Sequence, residues 1–164
     1  MSQYHDMDQI TEIIWLGNKE SAFNINELKK LGIKKVLSVI DSAPPIYDEK
    51  DEIKQRCIKI MDSPAFNIIQ YFGECLNFIS GEEKVLVHCL AGASRSATIV
   101  IAYLMWKEKM KYTNALEFVK DKRLGVFPNL GFCKQLKIFE SLLEKNGYDI
   151  NKINFDDIKW KWVF

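Results

Sequence analysis

Cys89 and Arg95 stand six positions apart in the stretch Val87-His88-Cys89-Leu90-Ala91-Gly92-Ala93-Ser94-Arg95-Ser96. The spacing joins a nucleophile to an anion clamp. The thiolate is the reactive form of cysteine, and both a helix N-terminus and a neighbouring arginine favour it. Arginine carries a planar fork of donors that holds two phosphoryl oxygens at once. Ser96 can donate to the sulfur when it becomes the leaving group. His88 is better suited to orienting the loop through hydrogen bonds than to acting as a base. A lone cysteine at a strand end is more often a small buried hydrophobe. Cysteine, glycine, serine and arginine at these places together point instead to phosphoryl chemistry. A nucleotide-type phosphate loop is excluded, because G-x-x-x-x-G-K-[ST] does not occur.

The flanking elements must position these groups. Residues 84–88 read as a buried strand, a short apolar run with β-branched residues. From Ala97 to Trp106 nearly every residue is apolar, as in a helix buried on all sides. The loop between them turns sharply, and Gly92 supplies the backbone freedom for it. Successive amides of Leu90, Ala91, Gly92, Ala93 and Ser94 can form a nest for an anion, reinforced by the helix N-terminus beyond. The expected occupant is a dianionic phosphoryl group.

Elsewhere, strands are predicted over 12–16, 34–40 and 57–61, besides 84–88. Helices are predicted over 24–31, 67–80, 96–109, 113–121 and 129–146. Gly32, Gly81 and Gly147 fall where left-handed C-caps belong, and Thr113 and Asn129 where N-caps belong. Strands alternate with helices early and helices dominate late, which indicates an α/β fold. The expectation is a central, mostly parallel mixed sheet flanked by helices, with the later helices mainly on one side.

At this point the sequence resembles the dual-specificity protein phosphatase family, within the cysteine-dependent protein tyrosine phosphatases. His88-Cys89-x-x-Gly92-x-Ser94-Arg95-Ser96 matches the family's signature, and Ala102-Tyr103-Leu104-Met105 its continuation. Ile13 to Asn18 resembles the opening strand, Lys30 to Val39 a helix and strand, and Pro128 to Phe132 the turn before the last helix. The resemblance covers roughly residues 9–143. It implies the cysteine-phosphatase fold, and it implies a general acid on a loop upstream of the cysteine. Asp62, in Asp62-Ser63-Pro64 and 27 residues before Cys89, fits that role. On its residues alone, an aspartate before Ser-Pro reads as a turn or cap. The resemblance also gives Arg123 a part in holding substrate or a second phosphate. A surface basic pair is more often simply solvated. Asn129 is expected to serve structure. The acidic run Asp48, Glu49, Asp51, Glu52 reads as a solvated loop, and the whole segment 41–52 as mobile or irregular.

The resemblance implies hydrolysis of phosphotyrosine, phosphoserine and phosphothreonine on proteins through a cysteinyl-phosphate. No metal or cofactor is expected, since arginine and backbone dipoles supply the positive field. Two other readings keep the same loop: a catalytically weak phospho-binding scaffold, and a phosphatase for phosphoinositides or RNA 5′ ends. The uncharged loop interior favours protein substrates over the latter. The chain has 164 residues and a formal net charge of +1, so no global field argues for nucleic acid or anionic membrane. The longest apolar run is too short to span a bilayer, no secretory pattern opens the sequence, and Ser2 does not suit myristoylation. Cys57, Cys75, Cys89 and Cys133 form no zinc or disulfide pattern, and Cys75 falls on the apolar stripe Ile68, Phe72, Cys75, Ile79. A monomer in the reducing cytoplasm or nucleus is expected. Residues 1–146 are assigned to a catalytic domain. Residues 147–164 form an aromatic extension in which Ile158, Trp160, Trp162 and Phe164 alternate with other residues. That period of two predicts a strand packed on the domain or contacting a partner.

Overall fold

The chain order of apolar runs and amphipathic stretches is realised in a computed structural model that describes residues 3–163. Ser2 and Phe164, used above, lie outside these residues. The strands are β1 (Met7–Gln9), β2 (Ile14–Gly17), β3 (Ile33–Val39), β4 (Lys54–Ile58) and β5 (Lys84–His88). The helices are α1 (Lys19–Phe23), α2 (Ile25–Leu31), α3 (Phe72–Ile79), α4 (Arg95–Lys107), α5 (Tyr112–Lys122) and α6 (Leu130–Lys145).

Among the described residues the strands form one sheet in the order β1-β2-β5-β3-β4. β1 runs antiparallel to β2, and the remaining pairs are parallel. A strand covered on both faces needs apolar residues at every position. β5 satisfies this, with Val85, Leu86 and Val87 wholly buried. The expected α/β class with a mostly parallel mixed sheet is therefore the observed one. On one face the larger core joins α3, α4, α5 and α6, and it includes Ile68, Phe72, Cys75 and Ile79. On the other, α1 and α2 cover a smaller cluster of Trp15, Ala22, Leu28, Ile33, Val36 and Leu86. Helix α4 is buried along nearly its whole length, because it sits between the sheet and the other helices.

Parallel pairing decides where chemistry can collect. β2, β3, β4 and β5 all release their chains at one edge, and ligands of such sheets bind outside the carboxyl ends of the strands. The segments leaving there begin with Asn18, Ile40-Asp41, Lys59-Ile60 and Cys89.

Several local expectations are corrected. Strand β1 and helix α1 were not predicted, being only 3 and 5 residues long and lacking a measurable period. Thr113 does not cap α5. That helix starts at Tyr112, whose N–H is accepted by the Glu140 carboxylate of α6. Gly32 does end α2 in the left-handed region. The acidic run is not uniformly solvated: Asp51 is buried and paired with Lys29 at 2.9 Å. Segment 41–52 is irregular but pinned, by Tyr47 Oη to Ala22 O (2.6 Å) and Gln55 Nε2 to Pro45 O (2.8 Å). Among the described residues the tail does not form a strand or join the sheet. Ile158, Trp160 and Trp162 are half-buried, while Lys159, Lys161 and Val163 are exposed. The two-residue period thus reports one side of an extended segment lying on the domain, with no ladder of its own.

Candidate active site

Loop 89–94 closes between the central strand β5 and helix α4, at the carboxyl edge of the sheet. Its carbonyls are taken from outside. Lys19 N–H donates to Leu90 O (3.0 Å), Arg123 Nη2 to Ala91 O (3.1 Å), Arg123 Nε to Gly92 O (3.0 Å) and Phe127 N–H to Ala93 O (2.8 Å). In a planar trans peptide the carbonyl and the following N–H point opposite ways. Four outward carbonyls therefore turn the amides of Ala91, Gly92, Ala93 and Ser94 inward. Gly92 N–H meets Cys89 Sγ at 3.3 Å. Gly92 has φ +68°, and a Cβ there would lie 2.6 Å from Gly17 O and 2.8 Å from Arg123 Nη2. Only glycine lets the loop pass at this distance.

Cys89 is buried, with Ser96 Oγ 3.0 Å from its sulfur. Ser96 lies in the first turn of α4, so its hydroxyl and the helix N-terminus face the same sulfur.

His88 sits below the sulfur and is wholly buried. Its Nδ1 lies 3.0 Å from Cys89 O, and its Nε2 lies 2.6 Å from Ser38 Oγ. A carbonyl only accepts, so Nδ1 carries the proton and Nε2 accepts from the serine hydroxyl. Gln55 Nε2 donates in turn to Ser38 Oγ at 3.4 Å. Burial holds the imidazole pKa below its ordinary value, against a smaller opposing effect of the Cys89 carbonyl. His88 is thus a neutral donor that fixes the start of the loop.

Arg95 is buried, and its Nη1 donates to Asp41 Oδ1 (2.8 Å) and Ile60 O (3.1 Å). Its Nε, also buried, meets no acceptor among the described residues. A buried guanidinium donor without a protein partner suits an anion. The hydrogen bond from Arg95 holds the Asp41 carboxyl below the ordinary carboxylate range.

Asp62 follows β4 and reaches the same edge. Its Oδ1 accepts from Ser94 Oγ (2.8 Å) and from Asn129 Nδ2 (2.9 Å). Asn129 also caps α6, its Oδ1 accepting from Phe132 N–H at 2.9 Å. Pro64, two residues on, passes so close to α6 that a Cβ on Gly131 would fall 2.0 Å from Pro64 O.

The structure brings Cys89, Arg95, Ser96 and Asp62 to one edge, with Leu90 exposed at the rim. Arg123 differs from the expectation of a substrate-side or surface residue. It is buried, and besides its two loop carbonyls it donates to His5 O (2.8 Å) and Asp8 Oδ2 (2.9 Å). Its fork is occupied by protein, so it braces the loop from behind. Four residues escaped sequence reasoning: Asp41, Ser38, Gln55 and Asp8. Only Asp41 left a signal there, as a carboxylate directly after an apolar strand.

A mixed sheet whose parallel strands open onto a Cys–Arg loop ahead of a buried helix places the chain in the protein-phosphatase fold. Residues 14–142 match the family model described as dual specificity phosphatase, catalytic domain, and the chain belongs to that family. It is 38% identical over 139 residues to dual specificity protein phosphatase 7 of Homo sapiens, covering 82% of this chain and 33% of that protein. It spans about a third of the length of that relative. It is 37% identical over 146 residues to dual specificity protein phosphatase 1B of Arabidopsis thaliana, covering 87% of this chain and 86% of the relative. Among solved structures, the human tyrosine phosphatase-like serine/threonine/tyrosine-interacting protein superposes with TM-score 0.78 at 33% identity, over 84% of this chain and 97% of that one.

Proposed function

We propose that this protein hydrolyses phosphotyrosine and phosphoserine or phosphothreonine on proteins through a cysteinyl-phosphate. The observation that carries the reading is the loop of inward amides whose Gly92 N–H meets Cys89 Sγ, with the buried Arg95 Nε at the end of that loop left without a protein acceptor and Asp62 tied to it through Ser94. The Cys89 thiolate attacks phosphorus, forming an S–P bond as the P–O bond to the protein breaks. Loop amides and Arg95 stabilise the equatorial oxygens as charge shifts. Asp62 gives its proton to the departing oxygen, because an alkoxide or phenoxide is a poor leaving group unprotonated. Asp62, now ionised, takes a proton from water as its oxygen attacks phosphorus. The S–P bond breaks, inorganic phosphate forms, and Ser96 Oγ donates to the returning thiolate. Splitting the displacement into two steps lowers the barrier of each. The loop residues Leu90, Ala91, Gly92 and Ala93 carry no charge, which favours a phosphoprotein over a polyanionic lipid or RNA end.

Assays of p-nitrophenyl phosphate and of phosphotyrosyl and phosphoseryl peptides test this reading. Cys89→Ser should abolish turnover and still bind the phosphopeptide. Asp62→Ala should slow the phosphoseryl peptide by roughly 10²-fold or more. A serine variant with full turnover would overturn the mechanism. A wild-type protein that binds phosphopeptide without cleaving aryl phosphate would make it a scaffold.

A further inference from the structure

The tail lies beyond residues 14–142, yet two of its contacts fall on the loop that carries Asp62. Trp160 Nε1 donates to Pro64 O at 2.7 Å, and Asn67 Nδ2 donates to Ile158 O at 2.8 Å. These two acceptor–donor pairs span 96 and 91 residues of sequence. They bracket segment 61–67 from outside. From inside, the first turn of α6 meets Pro64 at Gly131, where no side chain would fit. Pro64 is therefore held between α6 and the Trp160 indole.

The loop needs such support. Segment 61–67 belongs to no strand or helix, and its own backbone bonds are short-range: Ser63 N–H to Met61 O and Phe66 N–H to Ser63 O, both 3.0 Å. A stretch without ladder bonds takes its position from what packs on it. The tail is itself anchored ahead of Ile158 and again at Trp162. Upstream, Trp106 Nε1 donates to Tyr148 O at 3.1 Å, and Phe155 fills the space beside Gly73. Downstream, Lys134 Nζ of α6 lies 4.7 Å from the Trp162 ring centroid. The strap thus spans fixed points on α4, α3 and α6.

We propose that Trp160 is a positioning residue: residues 158–162 strap the acid loop and set the place of Asp62 relative to Cys89. This rests on the reading of Asp62 as general acid. In phosphoryl transfer to Cys89, the step read by kcat/KM, a displaced Asp62 slows only those substrates whose leaving group needs its proton; its later role as base is common to all substrates and falls on kcat.

The test uses the full chain and two aryl phosphates with different leaving groups, p-nitrophenyl phosphate and phenyl phosphate. Trp160→Phe keeps an aromatic ring and removes the N–H donor. It should lower kcat/KM on phenyl phosphate by about three- to tenfold, the range of one hydrogen bond, and leave kcat/KM on p-nitrophenyl phosphate within about 1.5-fold. Asn67→Ala, which removes the other strap bond, should act in the same direction and carries the test if the tryptophan variant melts early. In an Asp62→Asn background neither change should add to the loss. Equal losses of kcat/KM on both substrates, no loss on either, or an undiminished loss in the Asp62→Asn background would each overturn the strap. If Asp62→Asn alone shows no leaving-group dependence, the acid assignment falls instead, and the strap's role with it.

Discussion

Asn129 Nδ2 donates to Asp62 Oδ1 at 2.9 Å across 67 residues of sequence, and the same oxygen accepts from Ser94 Oγ at 2.8 Å. One carboxylate oxygen is thereby tied both to the phosphate loop and to the start of α6. In the proposed mechanism the transferable proton is therefore assigned to the other oxygen, Oδ2. The cap residue of the last helix thus also holds the Asp62 carboxylate.

Asn129→Ser should separate the two roles. Serine keeps an N-cap acceptor, so the thermal midpoint should shift little, whereas alanine would cost about 1 kcal/mol as a lost cap. Both variants lose the donor to Asp62. Turnover of a phosphoseryl peptide should fall on the order of tenfold in each. Steady-state rates set beside melting curves read the two effects independently.

Asp41 turns Arg95 toward the loop. Asp41→Ala should weaken binding of inorganic phosphate and raise KM more than it lowers kcat, by roughly three- to tenfold in kcat/KM. The carboxyl is held below its ordinary value of 3.8, chiefly by the Arg95 hydrogen bond. A depressed native pKa means that the pair is intact above the unfolded value and is lost only as pH falls below it. The ratio of wild-type to variant kcat/KM should therefore stay flat from about pH 5 upward. A ratio that changed between pH 5 and 8 would argue against this pair.

His88 should make the fold acid-sensitive. Its native pKa is lowered from 6.5, first by burial. Between the lower native value and 6.5 the unfolded chain binds a proton that the native imidazole does not. Stability is then fully present above about 6.5 and declines as pH falls toward the native value. Urea unfolding across this range should show the slope in the wild type and its loss in His88→Gln. His5, the other histidine, is exposed.

The order of elements was legible in the sequence where periods were long. β5 matches the predicted 84–88 residue for residue, and α4 and α6 depart by only one or two residues at their ends. β1 and α1, 3 and 5 residues long, carry neither enough positions to define a period nor a continuous apolar run like Val85-Leu86-Val87 of β5. The aromatic tail shows the limit of the same rule. Alternation along 158–163 reports which side is covered, but a strand also needs a partner, and the tail lies against a loop and α6.

The candidate phosphate loop was readable from the residues alone, because its cysteine, glycine, serine and arginine lie within ten consecutive positions that end at the start of α4, and local geometry brings them together. The resemblance to the family singled out Asp62 as the candidate acid. Which residues hold these groups emerged only in the folded chain. Asp41 reaches Arg95 from 54 residues away, Ser38 reaches His88 from 50, and Arg123 ties Asp8 to the loop across 115. Those pairs depend on strand order and register, with β3 set beside β5 and all parallel carboxyl ends at one edge. Spacing along the chain carries no trace of an order established only when the sheet assembles.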